Sequence, residues 1–191
     1  QVGDAIVLTK AIGTGTLFAA HAQLAAKGVW VDAALQSMQR SNQAGAAVLH
    51  AHGATSCTDV TGFGLLGHLI EMAEGSNLSA EIYYSKLPIL DGATDFLKQR
   101  IVPDATYRNW NSYSTKVSFD KGVNVLEAFN LLPDPQTNGG LLIAVNSTKI
   151  EEVKESSKWL DKIKTDFVKR LPTEEQYYKE FEIILNDCIK R

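Results

Sequence analysis

Three observations predict an α+β fold for this chain, a mixed α/β sheet with helices packed on it. Short apolar runs bounded by turn residues recur at 5–8, 54–60 and 140–145. Between them lie segments with the 3.6-residue apolar spacing of amphipathic helices, and Gly-rich polar loops join one kind to the other. At 191 residues the chain can bury one sizeable core.

Taken in order, residues 5–8 read as a buried strand between Gly3-Asp4 and Thr9-Lys10, and 12–16 as a turn. The apolar spacing and alanine content of 17–27 predict a helix that Gly28 ends, and Asp32 can cap a second helix running to Met38. An Ala-rich third helix is expected at 42–51, followed by a strand at 54–60. Leu66, Leu69, Ile70 and Ala73 share one face of a helix over 65–73, with Gly75 as its stop. Residues 79–84 alternate and carry two tyrosines, the pattern of a strand, which Lys86-Leu87-Pro88 breaks. A helix is expected at 91–99. The stretch 102–122, poor in apolar residues and rich in Asn, Ser, Thr and Tyr, reads as a long functional or surface loop. A short helix at 125–132, an apolar strand at 140–145 and a Lys/Glu-rich surface helix at 149–163 follow. In the tail, 173–191 fits a helix capped by Thr173, and 181–185 also passes as a closing strand. Residues 1–150 are expected to form one domain, with 151–191 as an extension packed on it.

Composition narrows the function classes. A formal net charge of −3, with no basic stripe, disfavours a nucleic-acid partner. The two cysteines, Cys57 and Cys188, are far apart and read as reduced thiols of a cytoplasmic protein. No apolar run approaches the roughly 20 residues that span a bilayer, so no membrane partner is expected. The opening Val2-Gly3-Asp4-Ala5-Ile6-Val7-Leu8 runs straight into a strand without an initiator Met, as if cut from a longer chain at a domain boundary.

The chemistry concentrates in loops. Thr58-Asp59-Val60-Thr61-Gly62-Phe63-Gly64-Leu65-Leu66-Gly67-His68 places one carboxylate, two hydroxyls and three glycines at a helix start, the layout of a loop that approaches an anion. Asp59 suits a hard cation such as Mg²⁺, which takes one or two carboxylates and completes its shell with water and phosphate. It equally reads as the cap of an ordinary turn. Thr58 and Thr61 can donate to phosphate or to loop carbonyls. In Asp134-Pro135-Gln136-Thr137-Asn138-Gly139-Gly140, three polar side chains precede two glycines that permit close backbone approach; a decorated turn before a strand has the same look. Lys10-Ala11-Ile12-Gly13-Thr14-Gly15 has the composition of a phosphate loop without the Lys-Ser/Thr ending of a P-loop. Arg108, beside Asn109, can pair with phosphate or with a surface carboxylate. His21, His50, His52 and His68 lack zinc-site spacing.

Together, Leu8-Thr9-Lys10-Ala11-Ile12-Gly13-Thr14-Gly15, the Thr58–Leu69 loop and Asp134-Pro135-Gln136-Thr137-Asn138-Gly139-Gly140-Leu141-Leu142 resemble the C-terminal half of selenophosphate synthetase (selenide, water dikinase). Met38, Asn42, Pro88 and Arg108-Asn109 fall at matching places, and the resemblance covers about residues 2–145. It implies the C-terminal domain fold of the aminoimidazole ribonucleotide synthase superfamily. It also implies an enzyme that makes selenophosphate from selenide, ATP and water, releasing AMP and phosphate, for selenoprotein and seleno-tRNA synthesis. That enzyme needs Mg²⁺ and is a cytoplasmic homodimer of two-domain chains that hold ATP mainly in the N-terminal domain. Asp59 matches the family's metal-binding aspartate in this half. Thr58, Thr61, Gly62, Gly64, Thr137, Asn138 and Gly139 are the matching candidates for the nucleotide phosphates. The family's catalytic Cys or selenocysteine, its essential Lys and its other metal aspartates belong to an N-terminal segment that nothing here matches. This chain alone is therefore expected to lack synthetase activity. Asn138 stands where family members tend to have Ser, and the match fades beyond Ile150. Two other readings stay open: a non-catalytic dimerisation or partner-binding module, and a related ATP-dependent synthetase with another substrate.

Overall fold

The structure, a computed structural model, describes residues 1–153, 155 and 156. Its centre is strand β3, Leu141–Asn146, which pairs antiparallel with β1, Asp4–Leu8, on one side and with β2, Ser56–Asp59, on the other. The register sets Leu8 opposite Leu142 and Asp59 opposite Leu141. A central strand is covered on both faces, which is why 141–145 is apolar without a break.

On one face, Ile6, Leu8 and Leu142 pack against Leu65, Leu66 and Leu69 of helix α4. On the other, Ala5, Val7, Ile143 and Val145 meet Val48 of α3, together with Ile150 and Val153. A third cluster joins Leu17 and Ala20 of α1, Ala34 of α2, and Ala93 and Phe96 of α5. The helices run α1 Thr14–Ala22, α2 Gly28–Gln39, α3 Gln43–His52, α4 Gly64–Gly75, α5 Ala93–Lys98, α6 Asp104–Tyr113 and α7 Val125–Leu131. Short 3₁₀ turns lie at Tyr84–Lys86, Ser114–Lys116 and Ser147–Lys149.

Several sequence expectations change. Helix α1 stops at Ala22, five residues short of 27, because Leu24 takes a left-handed φ of 57° and its N–H reaches back to the His21 carbonyl. Gly28 consequently opens α2, and Asp32 lies inside that helix, accepting from Gln36 (3.0 Å). Gly75 belongs to α4; the left-handed residue that closes the helix is Asn77, φ 53°. Residues 79–84 form no strand. Their period is right, with Ala80, Ile82 and Tyr84 packed on the core, but among the described residues no neighbouring strand reaches them. The expected loop over 102–122 contains α6. Its buried face is made of Thr106 and Asn109 with half-buried Trp110 and Tyr113, a helical spacing hidden by polar residue types. The helix expected at 149–163 is described only as helical residues 150–153, 155 and 156, and the tail 173–191 lies outside the described residues.

Candidate active site at the two glycine loops

Among the described residues strand β2 lies at the sheet edge; it alternates, half-burying Ser56 and Thr58 and exposing Cys57 and Asp59. Asp59 is its last residue, so its carboxylate faces solvent where the chain leaves the sheet. Burial pushes the Cys57 thiol up, and the nearby Asp59 charge adds to that effect. From there the loop is tied at each residue. The Val60 N–H donates to the Gly140 carbonyl (2.8 Å), and the Thr61 carbonyl accepts from the Gln136 N–H (2.9 Å). The Thr61 hydroxyl meets His68 Nε2 (3.1 Å), and His68 Nδ1 lies 3.5 Å from the Glu71 carboxylate. Thr58 donates to the Asp59 carbonyl (3.4 Å).

Asn109 bridges the two loops. Its buried side-chain amide donates both to the Gly62 carbonyl (2.7 Å) and to the Pro133 carbonyl (3.0 Å). At Gly64, φ is +71° and a Cβ would stand 2.6 Å from the Pro133 carbonyl carbon, so only glycine fits this close approach. Arg108, the neighbour expected to pair with phosphate from a loop, instead sits exposed on helix α6.

The loop 134–140 is folded inward. Gln136 Oε1 accepts from the Gly13 N–H (3.1 Å), the Thr14 N–H (3.2 Å) and the Thr14 hydroxyl (3.0 Å), while its Nε2 donates to the Asp134 carboxylate (2.8 Å). Asp134 also accepts from the Thr16 hydroxyl (2.9 Å) and the Gly15 N–H (3.1 Å). Burial pushes its carboxyl up to about 7, against the opposing pull of the Thr16, Gln136 and Gly15 hydrogen bonds. The 12–16 turn therefore does resemble an anion site in sequence, since its N–H groups open α1. The group that fills it belongs to the chain itself.

A second network holds the end of α2. Lys10, almost fully buried, donates to the carbonyls of Arg40 (2.7 Å) and Asn138 (2.8 Å). Asn138, left-handed at φ 45°, donates to the carbonyls of Met38 (2.5 Å) and Arg40 (3.2 Å), and Asn42 donates to that of Gly139 (2.9 Å). Lys10 thereby places its charge at the carbonyl end of a helix, where the dipole favours it.

The structure thus brings the predicted residues 58–64 and 137–139 side by side. It gives Thr61, Gly64, Asn138 and Gly139 contacts that shape the loops, and leaves Asp59, Gly62 and Thr137 on the surface. Residue types alone did not separate these two sets. The buried partners Asn109, Asp134, Gln136 and Lys10 carry the shape, and all four stand within motifs already singled out. Among the described residues no group of three His, Cys, Asp or Glu side chains is gathered for a metal. A lone exposed carboxylate nevertheless fits Mg²⁺, whose other ligands are usually water and phosphate.

The fold, a small antiparallel sheet between helices, is shared with two solved structures. Thiamine-monophosphate kinase from Stenotrophomonas maltophilia superposes with a TM-score of 0.56 at 16% identity, over all of this chain and 48% of that one. A hydrogenase maturation protein from E. coli gives the same score and identity, over all of this chain and 45% of its own. The chain belongs to the family described as AIR synthase related protein, C-terminal domain, which matches residues 1–161. It is similar to selenide, water dikinase from Haemophilus influenzae, 42% identical over 151 residues, and from Enterobacter sp., 41% identical over 154. These alignments cover 79% and 81% of this chain, which spans less than half the length of either relative (42% and 43%).

Proposed function

We propose that this chain is the C-terminal half of a selenide, water dikinase, which forms selenophosphate from selenide, ATP and water. The observation that carries the reading is the solvent-facing Asp59 carboxylate at the end of an edge strand, beside a loop whose backbone Asn109 and Gln136 hold rigid. Similarity to selenide, water dikinases across about four fifths of the chain supports it. Asp59 is the Mg²⁺ ligand of this half. Gly62 and Thr137, exposed on the neighbouring loops, face the nucleotide phosphates, while Thr58, Thr61, Gly64, Asn138 and Gly139 set the loop shape. Bound Mg²⁺ supplies charge neutralisation for an in-line phosphoryl displacement. The remaining ligands and the reactive groups come from an N-terminal domain in a cytoplasmic homodimer, so the chain alone releases no AMP.

Cys57 reports on Asp59 directly. Because the Asp59 charge helps hold the thiol up, Asp59→Asn should speed alkylation of Cys57, followed by mass spectrometry of the peptide that contains it. In a full-length dikinase carrying this half, Mg²⁺ with ATP should speed it further, and Asp59→Asn should remove that effect. In a full-length dikinase carrying this half, Asp59→Asn should lower selenide-dependent AMP formation by on the order of 100-fold. Unchanged turnover there would remove Asp59 from the metal site.

A further inference from the structure

Where the glycine loop enters α4, a hydroxyl, an imidazole and a carboxylate follow one another. The Thr61 hydroxyl lies 3.1 Å from His68 Nε2, and His68 Nδ1 lies 3.5 Å from a Glu71 carboxylate oxygen. His68 and Glu71 stand at i and i+3 of α4 and so share one face of that helix. His68 is buried, and the Phe63 ring leans over it with centroids 5.6 Å apart. Phe63 in turn meets Tyr113 of α6 edge-on, at 6.1 Å. Burial pushes the Tyr113 phenol up, and the nearby Glu71 charge adds to that effect. The imidazole thus has a ring against its face and a polar partner at each nitrogen, which leaves it little freedom to turn.

Those contacts decide where the hydrogens lie. A neutral imidazole has one N–H and one bare nitrogen, and an ionised carboxylate only accepts. Glu71 therefore favours the hydrogen on Nδ1, which makes Nε2 the acceptor and the Thr61 hydroxyl its donor. With its one hydrogen directed inward, Thr61 Oγ1 has only lone pairs left for a ligand. A phosphate oxygen needs a donor, whereas the water shell of a hydrated cation supplies hydrogens. Thr61 stands two residues on from Asp59, and its carbonyl already accepts from the Gly64 N–H (3.0 Å) and the Gln136 N–H (2.9 Å). Its backbone and its hydroxyl are thus fixed together. We propose, on the reading of Asp59 as a Mg²⁺ ligand, that His68 and Glu71 are positioning residues. They hold the Thr61 hydroxyl as an acceptor for the hydrated ion and not as a donor to phosphate.

Nitrogen NMR of isotope-labelled histidine in the chain, at mildly alkaline pH, reads the tautomer directly, and the His68→Phe spectrum assigns the signal. His68 should carry its hydrogen on Nδ1, and Glu71→Leu should move it to Nε2. A hydrogen on Nε2 in the wild type would overturn the proposal, and so would an Nδ1 hydrogen that survives Glu71→Leu. In the full-length enzyme the readout is the free Mg²⁺ needed for half-maximal AMP formation at saturating ATP. His68→Phe, which keeps a ring against Phe63, and Thr61→Val should each raise it on the order of tenfold, with the KM for ATP changing less than about twofold. The double variant should raise it no further, because both changes break the same bond. His68→Gln, whose amide oxygen can accept the Thr61 hydroxyl, should recover part of the loss. A shift in the KM for ATP in place of the Mg²⁺ requirement would overturn the proposal and return Thr61 to the phosphates. Asp59→Asn separates the two possible failures. An unchanged Mg²⁺ requirement there overturns the metal-site reading itself, while a response there with none in His68→Phe overturns the role of His68 alone.

Discussion

At the scale of single residues, Asn109 shows how much one amide can hold. Both of its N–H bonds end on carbonyls of different loops, 47 and 24 residues away in sequence. Asn109→Ala leaves those carbonyls without their donor in a buried place, and we expect about 2–3 kcal/mol of lost stability in urea unfolding. Asp134 is the titratable counterpart. Its carboxyl, buried at the start of α1, is pushed up to about 7 from an ordinary value near 3.8. The folded state therefore holds a proton that the unfolded state releases at lower pH. The resulting stability is complete below about pH 4 and is lost as pH rises through 7. Melting temperature should accordingly decline between pH 5 and pH 8 more steeply in the wild type than in Asp134→Asn; equal slopes would place the proton elsewhere.

At the scale of elements, the loop 134–140 is both the plug of α1 and the entry to β3. Gly139 is where it is most confined, since a Cβ there would stand 2.1 Å from the Val60 carbonyl oxygen. Gly139→Ala should cost about 3 kcal/mol or more and blur the β2–β3 pairing, visible as faster hydrogen exchange at the Val60 amide. The elements also show what was legible in the sequence. The run 141–145 and the apolar faces of α1 and α4 obey simple periods, and their interiors were readable. Helix α6 was not, because Thr106 and Asn109 occupy positions that usually hold Leu or Ile. Residues 79–84 have the local pattern of a strand, but a strand also needs a partner, and pairing is a property of the whole chain. Within the site, the loops were recognisable as anion-type loops. That Asp134 and Gln136 supply the acceptors for one of them was not, since composition does not say which side of a contact comes from solvent.

At the scale of the molecule, among the described residues β1 and β2 each pair only with β3, across more than 80 residues of sequence. No part of the sheet can close before β3 is present, and such long-range pairing is slow to form. A fragment of residues 1–139 should therefore show no cooperative unfolding transition by circular dichroism. A sharp transition would show that the helices carry the fold by themselves. The same arrangement has a meaning during synthesis. A ribosome adding about 5–20 residues per second exposes the buried face of β1 for on the order of ten seconds before β3 is made. For that interval Ala5, Ile6, Val7 and Leu8, all buried in the finished protein, are an apolar segment in search of a neighbour, and the nascent chain is at its most dependent on chaperones.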